Sequence, residues 1–170
     1  MILKRLFQRT PGPERACYEA IVAAARRPVF YADWGVPDTL DGRFDMISLH
    51  AFLILDRLKG EEPGFRQDLV DEFFRDMDRS LREMGVGDVS VGKKVRRMAE
   101  VFYGRVAAYD TAMAEPASLL APALSRNVFP DGNPGIGPER LAAYMMAQRV
   151  HLAAQSSQAI AGGRVSFQEP

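Results

Sequence analysis

Two histidines, a single cysteine and three closely spaced aspartates are the residues of this 170-residue chain with the best claim to chemistry. Neither His50 nor His151 stands in a His-Glu-x-x-His pair or four residues from a second ligand, so their spacing gives zinc no support. His50 sits in an apolar stretch, where a lone imidazole reads as a hydrogen-bonded core group rather than a metal or haem ligand. Asp38, Asp41 and Asp45 around Gly42 share the composition of a calcium loop but not the EF-hand spacing or its bidentate Glu. The plainer reading makes Asp38 a turn former, Asp41-Gly42 a tight turn and Asp45 a helix cap. Gly85-x-Gly87 and Gly92-Lys93-Lys94 lack both the Walker spacing and a preceding strand, so phosphate cradling is not expected. Cys17 falls on a small-residue stripe and reads as a buried hydrophobe. No nucleophile with a base, metal set or phosphate loop emerges. The expectation is a binding protein, not an enzyme, with no catalytic residues, cofactor or metal.

One charged feature is left over. Lys93, Lys94, Arg96 and Arg97 open a helix, where the macrodipole disfavours cations. Either solvation and pairing with the acidic helix before them compensate, or they form a patch for lipid phosphates, RNA or an acidic partner. Without interleaved exposed aromatics they make a poor nucleic-acid footprint. The balance of 22 Lys and Arg against 22 Asp and Glu gives no global pull toward DNA or an anionic membrane. A single cysteine rules out an intramolecular disulfide, and with no secretory signal visible the expected compartment is the cytoplasm. Asp56 and Arg57 interrupt the greasiest stretch, 46–58, so nothing approaches the roughly 20 apolar residues that span a bilayer.

The elements that must position these residues are helical. Residues 1–12 form a short amphipathic arm, in which Ile2, Leu3, Leu6 and Phe7 alternate with cations; it packs on the body or frays, or else assists attachment to a membrane surface through Met1 to Arg9. Residues 13–170 form one all-α domain, a bundle of about six helices. The first runs from Pro13 to about Arg27 and stops at Pro28. Val29 to Phe44, dense in aromatics and turn residues, reads as a long ordered loop before the second helix. Asp45 would cap that helix, which is apolar all round to Leu58 and therefore central. After Pro63-Gly64, Val70, Phe73, Phe74, Met77, Leu81 and Met84 mark one buried stripe. Ser90 is the expected cap of a fourth helix, with Val95, Met98, Phe102, Val106, Tyr109 and Met113 facing inward to about Glu115. A shorter helix runs from Pro116 to about Asn127, Pro130 to Pro138 is a loop, and the last helix runs from Pro138 to Ala161. Strand-length alternation is missing, which argues against a βαβ fold.

Two segments are more specific than any composition: residues 30–45, Phe-Tyr-Ala-Asp-Trp-Gly-Val-Pro-Asp-Thr-Leu-Asp-Gly-Arg-Phe-Asp, and residues 82–94, Arg-Glu-Met-Gly-Val-Gly-Asp-Val-Ser-Val-Gly-Lys-Lys. With His50-Ala51-Phe52-Leu53 and the run Met98 to Arg105, they make the chain resemble the ubiquinol–cytochrome c chaperones over about residues 30–110. That resemblance implies a helical chaperone that receives newly made cytochrome b for the cytochrome bc1 complex, with a small partner protein and a ribosome contact in the mitochondrial relatives. The missing long N-terminal presequence suits a bacterial version, peripheral at the cytoplasmic face of the inner membrane. The client site is then expected where the two segments meet, at one end of the bundle. Tyr31, Trp34, Val36 and Leu40 would give apolar anchors; Asp38, Arg43 and Asp88 would hold the loops or read the rim; Lys93 and Arg96 would add charge. The competing reading has Trp34 and Phe44 seal the core, which for Phe44 is preferred. The methionines fall on core stripes. Two other functions stay open: a helical haem-handling protein or enzyme using His50, His151 or Tyr103, and an RNA- or ribosome-binding scaffold using Lys93 to Arg97.

Overall fold

The computed structural model describes residues 12–114, 119–130 and 135–170. They form eight helices and no strand: α1 (Pro13–Ala25), α2 (Pro28–Ala32), α3 (Leu40–Arg57), α4 (Pro63–Glu83), α5 (Asp88–Ala114), α6 (Leu120–Val128), α7 (Gly137–Ala153) and α8 (Ser157–Ala161). The all-α expectation holds. The arm expected at Met1 to Arg9, and Pro116, lie outside the described residues.

α3 is the axis of the bundle, because its side chains from Phe44 to Leu55 are buried on every side. α1, α5, α6 and α7 all pack against it. α4 lies across α1 and α5, burying Val70, Phe73, Met77 and Leu81 as its spacing predicts, with Leu69 buried besides and Phe74 half-buried. Met84 leaves that stripe, at 53% exposed. Glu72 is buried on the same helix beside Arg15 and Arg75.

Four sequence expectations are corrected. Val29 to Phe44 is not one loop. Proline at a first helical position carries no orphaned N–H, so Pro28 ends α1 and also begins the five-residue α2. α3 then starts at Leu40, leaving residues 33–39 as the connection. Asp45 is not a cap: Thr39 Oγ1 accepts the Gly42 N–H at 3.1 Å, and Asp45 lies a full turn inside α3, buried. Ser90 is likewise inside α5, which begins at Asp88. The last helix is two helices, because Ser156 takes an extended conformation and its Oγ accepts the Ala159 N–H at 3.1 Å, opening α8.

The 33–39 connection is clamped from both sides. A Cβ at Gly42 would stand 1.9 Å from the Pro37 carbonyl oxygen, and one at Gly137 would stand 2.3 Å from that of Trp34. Only glycine lets α3 and α7 approach this backbone so closely. Trp34 packs edge-on against Phe30 at 5.2 Å and lies 6.1 Å from Tyr144. Tyr144 in turn donates its hydroxyl to His50 Nε2 at 2.9 Å, while His50 Nδ1–H donates to the Met46 carbonyl at 2.7 Å.

Candidate binding groove

The apolar stripe of α5 outruns the core that covers it. Phe102, Tyr109 and Met113 are buried, whereas Met98, Val101 and Val106 are only partly so. The half-covered turns open a groove of about 710 Å³ between α3, α4, α5 and the end of α6. Its floor is Leu40, Phe44, Leu81, Met98 and Val101; Lys94, Arg97 and Arg126 stand at its edge. Asp41, Asp45 and Arg105 supply the remaining charge.

Asp45 and Arg105 form the polar base. Arg105 Nη2 is 2.6 Å from Asp45 Oδ1 and donates to the Asn127 carbonyl at 3.1 Å, which ties α5 to α3 and α6. Asp45 Oδ1 meets Arg105 as an ion pair, and neither it nor Arg105 Nε has a hydrogen-bond partner among the described residues. Burial pushes the Asp45 carboxyl up to about 7, against the attraction of Arg105.

The cationic cluster does not pair with α4. Of the α4 acids, Glu72 and Asp76 pair with Arg15, Arg75 and Arg79, and Asp78 pairs with Arg82. Arg97 turns to Glu100 on its own helix at 3.1 Å. Lys93, Lys94, Arg96 and Arg126 are exposed and have no ion partner among the described residues. The groove therefore presents an apolar floor under a positive edge.

Of the nine residues expected from the sequence, the structure brings Leu40 to the groove, 56% exposed, while Lys93 and Arg96 stay on the same cationic turns as Lys94 and Arg97. Trp34 and Val36 are not surface anchors; both are buried and fasten the connection to the core. Tyr31 is half-buried, its hydroxyl donating to the Ala25 carbonyl at 2.8 Å and pushed up to about 12 by burial. Asp38 and Arg43 hold one another at 2.7 Å on the surface, and Arg43 keeps the Asp38 carboxyl below its usual range. Asp88 is an exposed partner of Arg82. Sequence reasoning gave Arg126 and Asn127 no role in binding, and took Asp45 for a cap and Leu81 for core. Only the run Met98 to Arg105 signalled this wall.

Comparison with known proteins gives this arrangement its context. The model of the ubiquinol–cytochrome C chaperone family matches residues 32–167. The chain belongs to that family. Its fold is similar to the crystal structure of the Cbp3 homolog from Brucella abortus, at 46% identity and a TM-score of 0.81, over 92% of this chain and 89% of that one. Ubiquinol-cytochrome-c reductase complex assembly factor 1 of Xenopus laevis is 29% identical over 103 residues, covering 59% of this chain and 52% of the frog protein. Protein CBP3, mitochondrial, of Saccharomyces cerevisiae is 27% identical over 150 residues, 83% of this chain and 44% of the yeast protein. The chain thus spans about half the length of the curated relatives it matches. Both segments that carry the family resemblance reach the chaperone's groove, the first through Leu40, Asp41, Phe44 and Asp45, the second through Lys94.

Proposed function

We propose that this chaperone is an assembly factor of the cytochrome bc1 complex that holds newly made cytochrome b in the α3–α5 groove. The observation that carries the reading is the convergence of the two family segments on one groove with an apolar floor and a positive edge. An unassembled membrane protein must have apolar surface covered, and Met98 beside Leu40 and Val101 offers an adaptable wall for varied side chains. The cations would select segments with acidic or anionic neighbours. Binding without turnover is enough for this role. No described helix is long and apolar enough to cross a membrane. The reading adds attachment at the inner-membrane surface, with Met1 to Arg9 assisting, and a small partner protein as a further contact.

The haem-handling alternative has lost its first ligand. Both nitrogens of His50 are engaged in the core, and burial lowers its pKa to about 4, so His50 offers neither a lone pair nor a surface.

The test is complementation. In cells whose own copy is deleted, the chain should restore spectrally visible bc1 haem b and steady cytochrome b, and a Leu40→Glu/Met98→Glu variant that accumulates to normal levels should not. Full restoration by that variant would remove the groove from the function.

A further inference from the structure

Past α8 the backbone runs extended across α7, and the period of its burial is two: Val165 and Phe167 are half-buried, whereas Arg164, Ser166 and Gln168 are exposed. Gly163, at φ +79°, turns the chain into this path where a Cβ would press within 3.0 Å of Ala16. Two glutamine side chains, Gln148 on α7 and Gln155 in the turn that follows it, then read the backbone. Gln155 accepts the Ser166 N–H at 3.0 Å and donates to the Ser166 carbonyl at 2.9 Å. Gln148, fully buried, does the same at Gln168, at 3.1 and 3.0 Å.

A side-chain amide carries one donor and one acceptor face, as a peptide group does, so the two glutamines act as a short stretch of neighbouring strand. From the opposite side, Arg27 donates to the Phe167 carbonyl at 3.2 Å and also reaches the Gln168 carbonyl. Phe167 lies between the brackets, its ring 5.3 Å from His50 at 71°. Backbone groups give the affinity of such a site, and one aromatic pocket gives its selectivity.

We infer that the cleft between α7, α3 and the α1–α2 junction at Arg27 is an extended-peptide site, filled here by the chain's own residues 164–168. It accepts in their place an extended segment from another protein that carries an aromatic residue in the register of Phe167. The site is distinct from the groove and does not depend on the client assigned there.

To test this, the full chain is built with a protease site directly after Gly163, cleaved once folded, and exchanged against a fluorescent peptide of residues 164–170. Saturable binding is expected to the cleaved chain and none to the uncleaved one. A Phe167→Ala peptide, or one N-methylated at Ser166 and Gln168, should bind at least roughly tenfold more weakly. A cleaved chain with native circular dichroism that ignores the peptide, or holds all three alike, overturns the inference. Should the cleaved chain unfold, hydrogen exchange on intact Gln148→Ala and Gln155→Ala variants decides: selective loss of protection at Gln168 and Ser166 supports the site, and unchanged protection overturns it.

Discussion

Asp45 on α3 and Arg105 on α5 face one another at 2.6 Å at the base of the groove, an ion pair that leaves Asp45 Oδ1 without a hydrogen bond. Because burial holds the folded-state carboxyl near 7, the folded protein keeps a proton between about pH 4 and 7 that the unfolded chain has released. This group's contribution to stability therefore falls as pH rises through that window. Asp45→Asn is expected to remove the slope, which urea denaturation at pH 5, 6 and 7 would read.

Removing the other partner should act in the opposite pH range. Arg105→Met leaves Asp45 unpaired, at a cost of about 2 kcal/mol at pH 8, where the carboxyl is ionised. The cost shrinks at pH 6, where the carboxyl can protonate instead. Equal losses at both values would show that Asp45 is not the titrating partner.

Gly42→Ala should be costly out of proportion to one methyl group. The added carbon meets the Pro37 carbonyl at 1.9 Å, and the opposed contact is backbone that cannot swing aside. A loss of about 3 kcal/mol is expected. At Gly92 on α5 a Cβ meets nothing within 4 Å, so Gly92→Ala should instead stabilise by about 0.5–1 kcal/mol. Thermal melts of the pair compare them directly.

How far these features were legible in the sequence depends on their reach along the chain. The α4 stripe and the central α3 could be read because helical periodicity is local and both helices obey it. The break at Ser156 was hidden by an unbroken helix-compatible composition, and α2 by Pro28, which signals a stop and a start equally well. Taking Asp45 for a cap misplaced the start of α3, because Thr39 provides the same chemistry a few residues earlier. The Asp45–Arg105 pair joins residues far apart in sequence, so no spacing could announce it. The α5 stripe was visible, but whether neighbours cover it is a tertiary fact, and that is where the groove opens. Trp34 and Val36 carried the residue types of surface anchors and turned out to fasten a loop.

His50 provides a further check, independent of the groove. Its folded-state pKa near 4 lies below the ordinary 6.5, chiefly through burial, so the unfolded chain takes up a proton that the folded one refuses. Stability from this group is fully present above about pH 6.5 and is lost as pH falls toward 4. In the Asp45→Asn background, where the opposing slope is absent, unfolding midpoints should drop steadily from pH 6.5 to 4.5. Tyr144→Phe removes the donor to His50 Nε2 and should cost about 1 kcal/mol at pH 7, with native circular dichroism kept.

The most direct measurement of the chaperone's central role is photo-crosslinking in cells from probes placed singly at Leu40, Lys94 and Arg126, with Asp78 and Arg140 as controls away from the groove, and captured proteins identified by mass spectrometry. Cytochrome b is expected at the three groove positions and not at the controls. Its absence from all three, with cytochrome b made normally in the same cells, would contradict the groove as the client site.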